Sequence, residues 1–175
     1  MRKITESTFV SLDGVTEDPR AWAMGYFNED AQKAALEQLQ ASDGMLMGRG
    51  TYEYFAAALP AGSPYADAIN AIRKYVFSST LERADWNNST IVGGYSADAI
   101  GALKDQVDGG IYVSGSGTLV RALLADGLVD ELHLFVYPLA LGTGAKLFGD
   151  EPVKFTLAQT HSYDNGVLHL AYRTA

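Results

Sequence analysis

The sequence predicts an α/β domain with a mainly parallel central sheet and an antiparallel C-terminal hairpin. Short apolar runs of strand length alternate with segments of helical pattern from Arg2 to Leu124. From residue 131 onward, strand patterns follow one another without an intervening helix. Asp164-Asn165-Gly166 separates the last two, and Asn-Gly is a strong short hairpin signal. Strands joined through helices pair in parallel and are covered on both faces, whereas a strand-only tail adds an antiparallel edge.

The elements follow in order. Arg2 to Val10 reads as the first strand, and residues 11–27 as a long loop with Gly, Pro and aromatic residues. A loop of that length inside a compact domain usually carries function. Asn28 is expected to cap a helix running to Ala41, with Glu29 and Asp30 in its first turn. Residues 44–48 form a short apolar strand, and a helix follows from Gly50 to Ala58. A short helix over 65–72 precedes a strand that begins at Lys74 and ends at Ser78-Ser79. A weaker strand at 89–94 leads to a helix from Ala97 to Gln106. The stretch Ile111–Val113 is a buried strand, Leu119–Leu124 a buried helix, and 131–137 a further strand. A Gly-rich loop spans 139–149 before the final hairpin.

A chain of 175 residues is expected to form one domain with a sizeable core. No apolar run approaches the ~20 residues of a membrane span, and Glu6 and Asp13 interrupt any signal-peptide core after Arg2-Lys3. The absence of cysteine excludes disulfides and thiolate metal sites and fits a cytoplasmic protein. A net charge of −8 disfavours nucleic acid and anionic membrane as partners.

Three predicted strand ends carry small or polar residues: Gly48-Arg49, Ser78-Ser79, and Ser114-Gly115-Ser116-Gly117. Ligands of open α/β sheets collect at such ends. The Gly115–Thr118 turn opens a helix, where free N–H groups favour phosphate, although a capped tight turn has the same residues. It lacks the third glycine of a dinucleotide fingerprint and the lysine of a P-loop. Arg49 is suited to a forked phosphate contact, with a surface pair to Glu53 as the alternative, and Thr51 can donate at the next helix start. His161 and His169 flank the Asn-Gly turn, and a two-residue register would put them on opposite faces, so no metal site is expected. His133, between leucines, reads as a sheet histidine. The segment 94–98 nearly spells a nucleophile elbow, but Asp98 replaces its final glycine. Candidate proton donors are Asp13, Glu29 and Asp30; a turn and a helix N-terminus are their ordinary explanations.

Together, "SLDG" (11–14), "MGRGTYE" (47–53), "KYVFSSTL" (74–81) and the block 111–148 closely resemble the C-terminal reductase domain of the riboflavin-biosynthesis deaminase–reductase, RibD. The resemblance covers nearly the whole chain and implies a three-layer dihydrofolate reductase-like fold. It implies an oxidoreductase with NADPH as cofactor, a small heterocyclic substrate of pterin-like or pyrimidine-like type, and a homodimer. By the resemblance, Gly115, Ser116, Gly117 and Thr118 would cradle the diphosphate, with a cis Gly115–Ser116 peptide. Gly48, Arg49 and Thr51 would contact phosphates, Arg49 facing the 2′-phosphate. Ser78 and Ser79 would hold the adenosine end. Leu12 to Gly14 would cover the nicotinamide, and Trp22 to Phe27 would help close the substrate pocket. There is no deaminase half, and "MGRGTYE" replaces the segment that grips a ribose phosphate. In dihydrofolate reductase a first-helix carboxylate assists protonation; counting back from Gly48 by that spacing reaches Gln32, close to Asp30 and Glu29. A cleft kept for nucleotide binding without turnover, or a structural dimer subunit, are the alternatives.

Overall fold

The computed structural model describes residues 2–26, 29–58, 62–115 and 117–174. Eight strands form one sheet: β1 (Ile4–Ser11), β2 (Ser42–Gly48), β3 (Arg73–Phe77), β4 (Ser89–Gly93), β5 (Gly110–Ser114), β6 (Glu131–Tyr137), β7 (Phe155–Ser162) and β8 (Leu168–Thr174). Six helices accompany them: α1 (Pro19–Ala23), α2 (Glu29–Gln40), α3 (Arg49–Ala58), α4 (Pro64–Ala71), α5 (Ala97–Gln106) and α6 (Gly117–Ala125). The strand order is β4-β3-β2-β5-β1-β6-β8-β7. Every neighbouring pair from β4 to β6 is parallel, and the two pairs that include β8 are antiparallel.

Alternation sorts the apolar strands into two layers. Leu46, Tyr75, Phe77, Ile111 and Val113 pack with Ile100 of α5 and Leu119, Val120 and Leu123 of α6. Met45, Met47, Val76 and Tyr112 point the other way, against Leu39 of α2, Tyr52 of α3 and Ile69 of α4. A third cluster joins Ala23 and Ala31 to Phe135, Tyr137 and Tyr163. This is the predicted three-layer arrangement. Lys74 lies in the second layer almost fully buried. Its ammonium donates to the carbonyls of Asn70, Ile72 and Asn87 at 3.0–3.1 Å and sits over the Trp86 ring, so its charge is neutralised by dipoles rather than an acid.

Two expectations change. The long loop is not wholly irregular: Pro19 occupies the first turn of α1, and a 3-10 turn follows at Met24–Tyr26. The remainder, 11–17, is stitched to the Gly-rich loop by Leu12 N–H to Leu139, Thr16 N–H to Ala145 and Leu147 N–H to Gly14, at 2.8–3.0 Å. The C-terminal hairpin has three loop residues rather than two. Gly166 N–H donates to Tyr163, Tyr163 N–H to Val167, and Gly166 takes φ +86. That glycine supplies the left-handed position of a three-residue turn. The register therefore places His161 directly opposite His169, on one face. The separation expected from a two-residue turn is incorrect. No group of three or more His, Asp or Glu among the described residues is placed to hold a metal. No described helix is long and apolar enough to cross a membrane.

Candidate functional site: the cleft at the strand ends

β3, β2 and β5 are neighbours and run parallel, so their C-terminal ends lie side by side. The three motifs distant in sequence thus meet at one rim. A cleft of about 1280 Å³ opens there. Single small-ligand pockets span roughly 300–1,000 Å³, so the space suits a ligand of dinucleotide size or two ligands together.

One part of its lining is glycine, hydroxyl and guanidinium: Gly48, Arg49, Thr51, Ser78, Ser79, Gly115, Gly117 and Thr118. Gly115 takes φ +62, a conformation that glycine adopts without a Cβ penalty. A Cβ on Gly117 would lie 3.0 Å from Nη1 of Arg121, so the chain passes close to that guanidinium. Arg121 donates to the Lys146 carbonyl at 2.9 Å, joining the start of α6 to the Gly-rich loop. Arg49 donates to Glu53 at 2.7 Å and to Thr80 at 2.9 Å, so the surface pair and the cleft position coexist. Ser78 accepts from the N–H groups of Thr80 and Leu81 and shapes its own turn. Ser116, and with it the Gly115–Ser116 peptide, lies outside the described residues, as do Asn28 and Phe27.

The other part is aromatic and hydroxylic, with Phe9, Tyr54, Phe55, Tyr65 and Tyr112 beside Ser7 and Ser114. Tyr112 and Ser114 are two apart on β5, so both side chains face this side. Burial pushes the Tyr112 phenol well above its ordinary range, with Tyr65 adding and Ser7 opposing. Burial also raises Tyr65. Both phenols therefore stay protonated at neutral pH and can donate. The Arg20 guanidinium lies 3.9 Å from the centre of the Tyr54 ring at the cleft edge.

The candidate acids lie elsewhere. Asp13 accepts from Ser11 Oγ at 2.6 Å, Leu141 N–H at 3.0 Å and Gly142 N–H at 2.7 Å, tying the two loops together. These donors, Ser11 first, hold its carboxyl at about 2, so it has no proton to give near neutrality. Asp30 borders a second groove of about 1110 Å³, with Lys33, Glu37 and Gln38. Gln32 and Ala35 are the positions that α2 turns toward the cleft. Two residues correspond to about 200° around a helix, so Asp30 and Gln32 face apart. Glu29 borders neither space. Asp18 is the one carboxylate among the described cleft-lining residues. Leu12 is largely exposed, Gly14 takes φ +87 in the stitched loop, and neither lines the cleft. Trp22 donates to the Glu17 carbonyl and packs edge-on against Tyr137, away from the cleft lining.

Sequence reasoning missed Ser7, Tyr54, Tyr65 and Tyr112. Alternation within 111–114 could have identified Tyr112 as a neighbour of the turn; the others needed the packing of α3 and α4. Ser96 caps α5 through Ala99 N–H at 3.2 Å, which accounts for the elbow-like segment. His133 Nδ1 lies 2.9 Å from His169 Nε2 and 3.0 Å from Gln38 Nε2, a hydrogen-bonded cluster beside the second groove in which the Gln38 Oε1 is left without a partner among the described residues.

The RibD C-terminal domain model matches residues 2–169. The chain belongs to the RibD C-terminal domain family. The chain is also similar to YyaP of Bacillus subtilis (strain 168), an uncharacterized protein 25% identical over 179 residues, covering 98% of this chain and 94% of YyaP. The sheet and layers also match solved structures. A proposed riboflavin biosynthesis protein from Shewanella sp. PV-4 superposes with a TM-score of 0.81 at 24% identity, covering 100% of this chain and 99% of that one. A pyrimidine reductase-like protein from Corynebacterium diphtheriae gives 0.73 at 13% identity, with 99% and 92% coverage. The chain spans 57% of the length of a Thermotoga maritima deaminase/reductase, at TM-score 0.71, 14% identity and 99% coverage of this chain.

Proposed function

We propose that the protein is an NADPH-dependent reductase acting on a pterin-like or aminopyrimidine-like heterocycle. The observation that carries this reading is the meeting of three strand ends with the N-terminus of α6, in a cleft with one anion-suited and one aromatic lining. Gly115, Gly117 and Thr118 would hold a diphosphate through backbone N–H groups. Arg49, oriented by Glu53 and Thr80, would select the 2′-phosphate, and Ser78 and Ser79 would border the adenosine end. When bound, NADPH supplies the hydride; the chain's share is alignment, polarisation and exclusion of water. Tyr65 and Tyr112 would donate hydrogen bonds to a carbonyl or imine of the substrate.

Calorimetric titration of NADPH and NADH tests the cofactor. We expect preference for NADPH, weakened about tenfold by Arg49→Ala through loss of charge-assisted hydrogen bonds, with NADH scarcely affected. If neither nucleotide binds, the reading fails. A second reading, nucleotide binding without turnover, is favoured by the location of Asp13 and Asp30 outside the cleft. Oxidation of NADPH with any member of a heterocycle panel would exclude it.

A further inference from the structure

Glu6 stands in the middle of β1, between β5 and β6, opposite Val113 and Leu132. It is fully buried, and neither carboxyl oxygen has a hydrogen-bond partner. Apart from Thr8, its side of the sheet is apolar: Ile4 and Val10 of the same strand, Val113 of β5, and Leu119, Val120 and Leu123 of α6 belong to one cluster. An apolar residue would fill this place without the cost of leaving polar atoms unmatched. β1 pairs Ser7 with Ser114, so Gly115 follows beside the strand that carries Glu6, and the N–H groups of Gly115 and Ser7 are the polar groups that oppose the effect of its burial. Gly115 is in the turn at the cleft, so Glu6 lies directly behind the anion-suited lining.

We propose that Glu6 is a proton-gated positioning residue for the Gly115 N–H, leaving that group to a bound diphosphate when neutral and competing for it when ionised. The inference rests on the nucleotide reading of the cleft. Burial dominates over the two N–H groups and keeps the acid protonated well above the ordinary carboxylate range. Ionisation would place a negative charge behind a site that must receive two phosphates, and would turn the N–H dipole inward. The groups around it do not offset that charge. Arg121, the cation at the turn, is committed to the Lys146 carbonyl and the Thr118 hydroxyl. Tyr112 of β5 is a weakly acidic neighbour whose phenol the Glu6 charge itself raises. Lys3 and Lys104, at the N-terminal end of the sheet, pair with Glu131 and Asp130. A ligand that prefers the protonated form must draw protons into the complex where the free protein has begun to lose them.

The test is calorimetric titration of the whole chain with NADPH between pH 7.5 and 10, in wild type and Glu6→Gln. The ligand's 2′-phosphate is ionised throughout this range, since a second phosphate pKa lies near 6. We expect wild-type affinity to fall at least tenfold more than that of Glu6→Gln, with proton uptake detected as a buffer-dependent heat. Parallel pH profiles and no uptake would overturn the proposal. Should Glu6→Gln fail to fold, Glu6→Leu, which fills the apolar site, takes its place: loss of the proton uptake supports the gate, and uptake equal to wild type overturns it. Failure of NADPH to bind wild type at any pH overturns the nucleotide reading itself, and with it this inference. Binding that is indifferent to pH overturns only the role of Glu6.

Discussion

Asp13 shows how one side chain can be conspicuous in a sequence for a reason other than the one its chemistry suggests. Before a glycine in a long loop it resembles a proton donor; in the structure it accepts three hydrogen bonds and joins two loops. Its folded pKa, about 2, lies below the ~3.9 of an unfolded aspartate. The unfolded chain therefore binds more protons between these values, so this contribution is present above pH 4 and lost as pH falls toward 2. Thermal melts over that range should show a steeper acid loss for wild type than for Asp13→Asn. Equal slopes would mean that the carboxylate does not tie the loops. Arg49, by contrast, was legible with its partner Glu53, which lies one helical turn away, whereas its bond to Thr80 needed the neighbouring strand end.

At the level of elements, α2 divides two spaces. Ala31, Ala35 and Leu39 are buried, Gln32 turns to the cleft, and Asp30 and Glu37 turn to the second groove. The helix itself follows from its pattern, but its rotation is set by what it packs on, and rotation decides which polar residue meets a ligand. The C-terminal hairpin gives a parallel case. Its existence was written in Asn165-Gly166, yet a three-residue turn shifts the register and brings His161 opposite His169, which meets His133 of β6 on its other side. Burial first, then the neighbouring His133 and His161, pulls His169 down to about 4. An unfolded histidine titrates near 6.5. The unfolded chain then binds the extra proton between about 4 and 6.5, so stability should fall as pH drops through that window. His169→Gln should flatten urea-melt midpoints between pH 6.5 and 4; an unchanged slope would show that His169 titrates normally.

For the molecule as a whole, one continuous sheet with β1 near its centre makes the cleft dependent on long-range pairing. Residues of the cleft come from β1, β2, β3, β5 and five helices, so ligand binding should stabilise the entire fold rather than a segment. We expect a single thermal transition, raised by NADPH at about one hundred times its Kd by ~2.7 kcal/mol, or roughly 5–10 °C for a chain of this size. Calorimetry showing two transitions, or a midpoint indifferent to NADPH, would contradict a single ligand-coupled domain. The sequence by itself determined the element types, the parallel sheet with its antiparallel edge, and the three strand ends that line the cleft. Those properties depend on local periodicity and on turn residues, which a linear pattern carries. Only the tertiary structure decided that Asp13 and Asp30 lie outside the cleft, that Tyr65 and Tyr112 lie within it, and that Glu6 is sealed behind the Gly115 turn. Helix rotation, hairpin register and burial are settled by contacts between residues far apart in the chain, and those contacts leave no local periodicity to read.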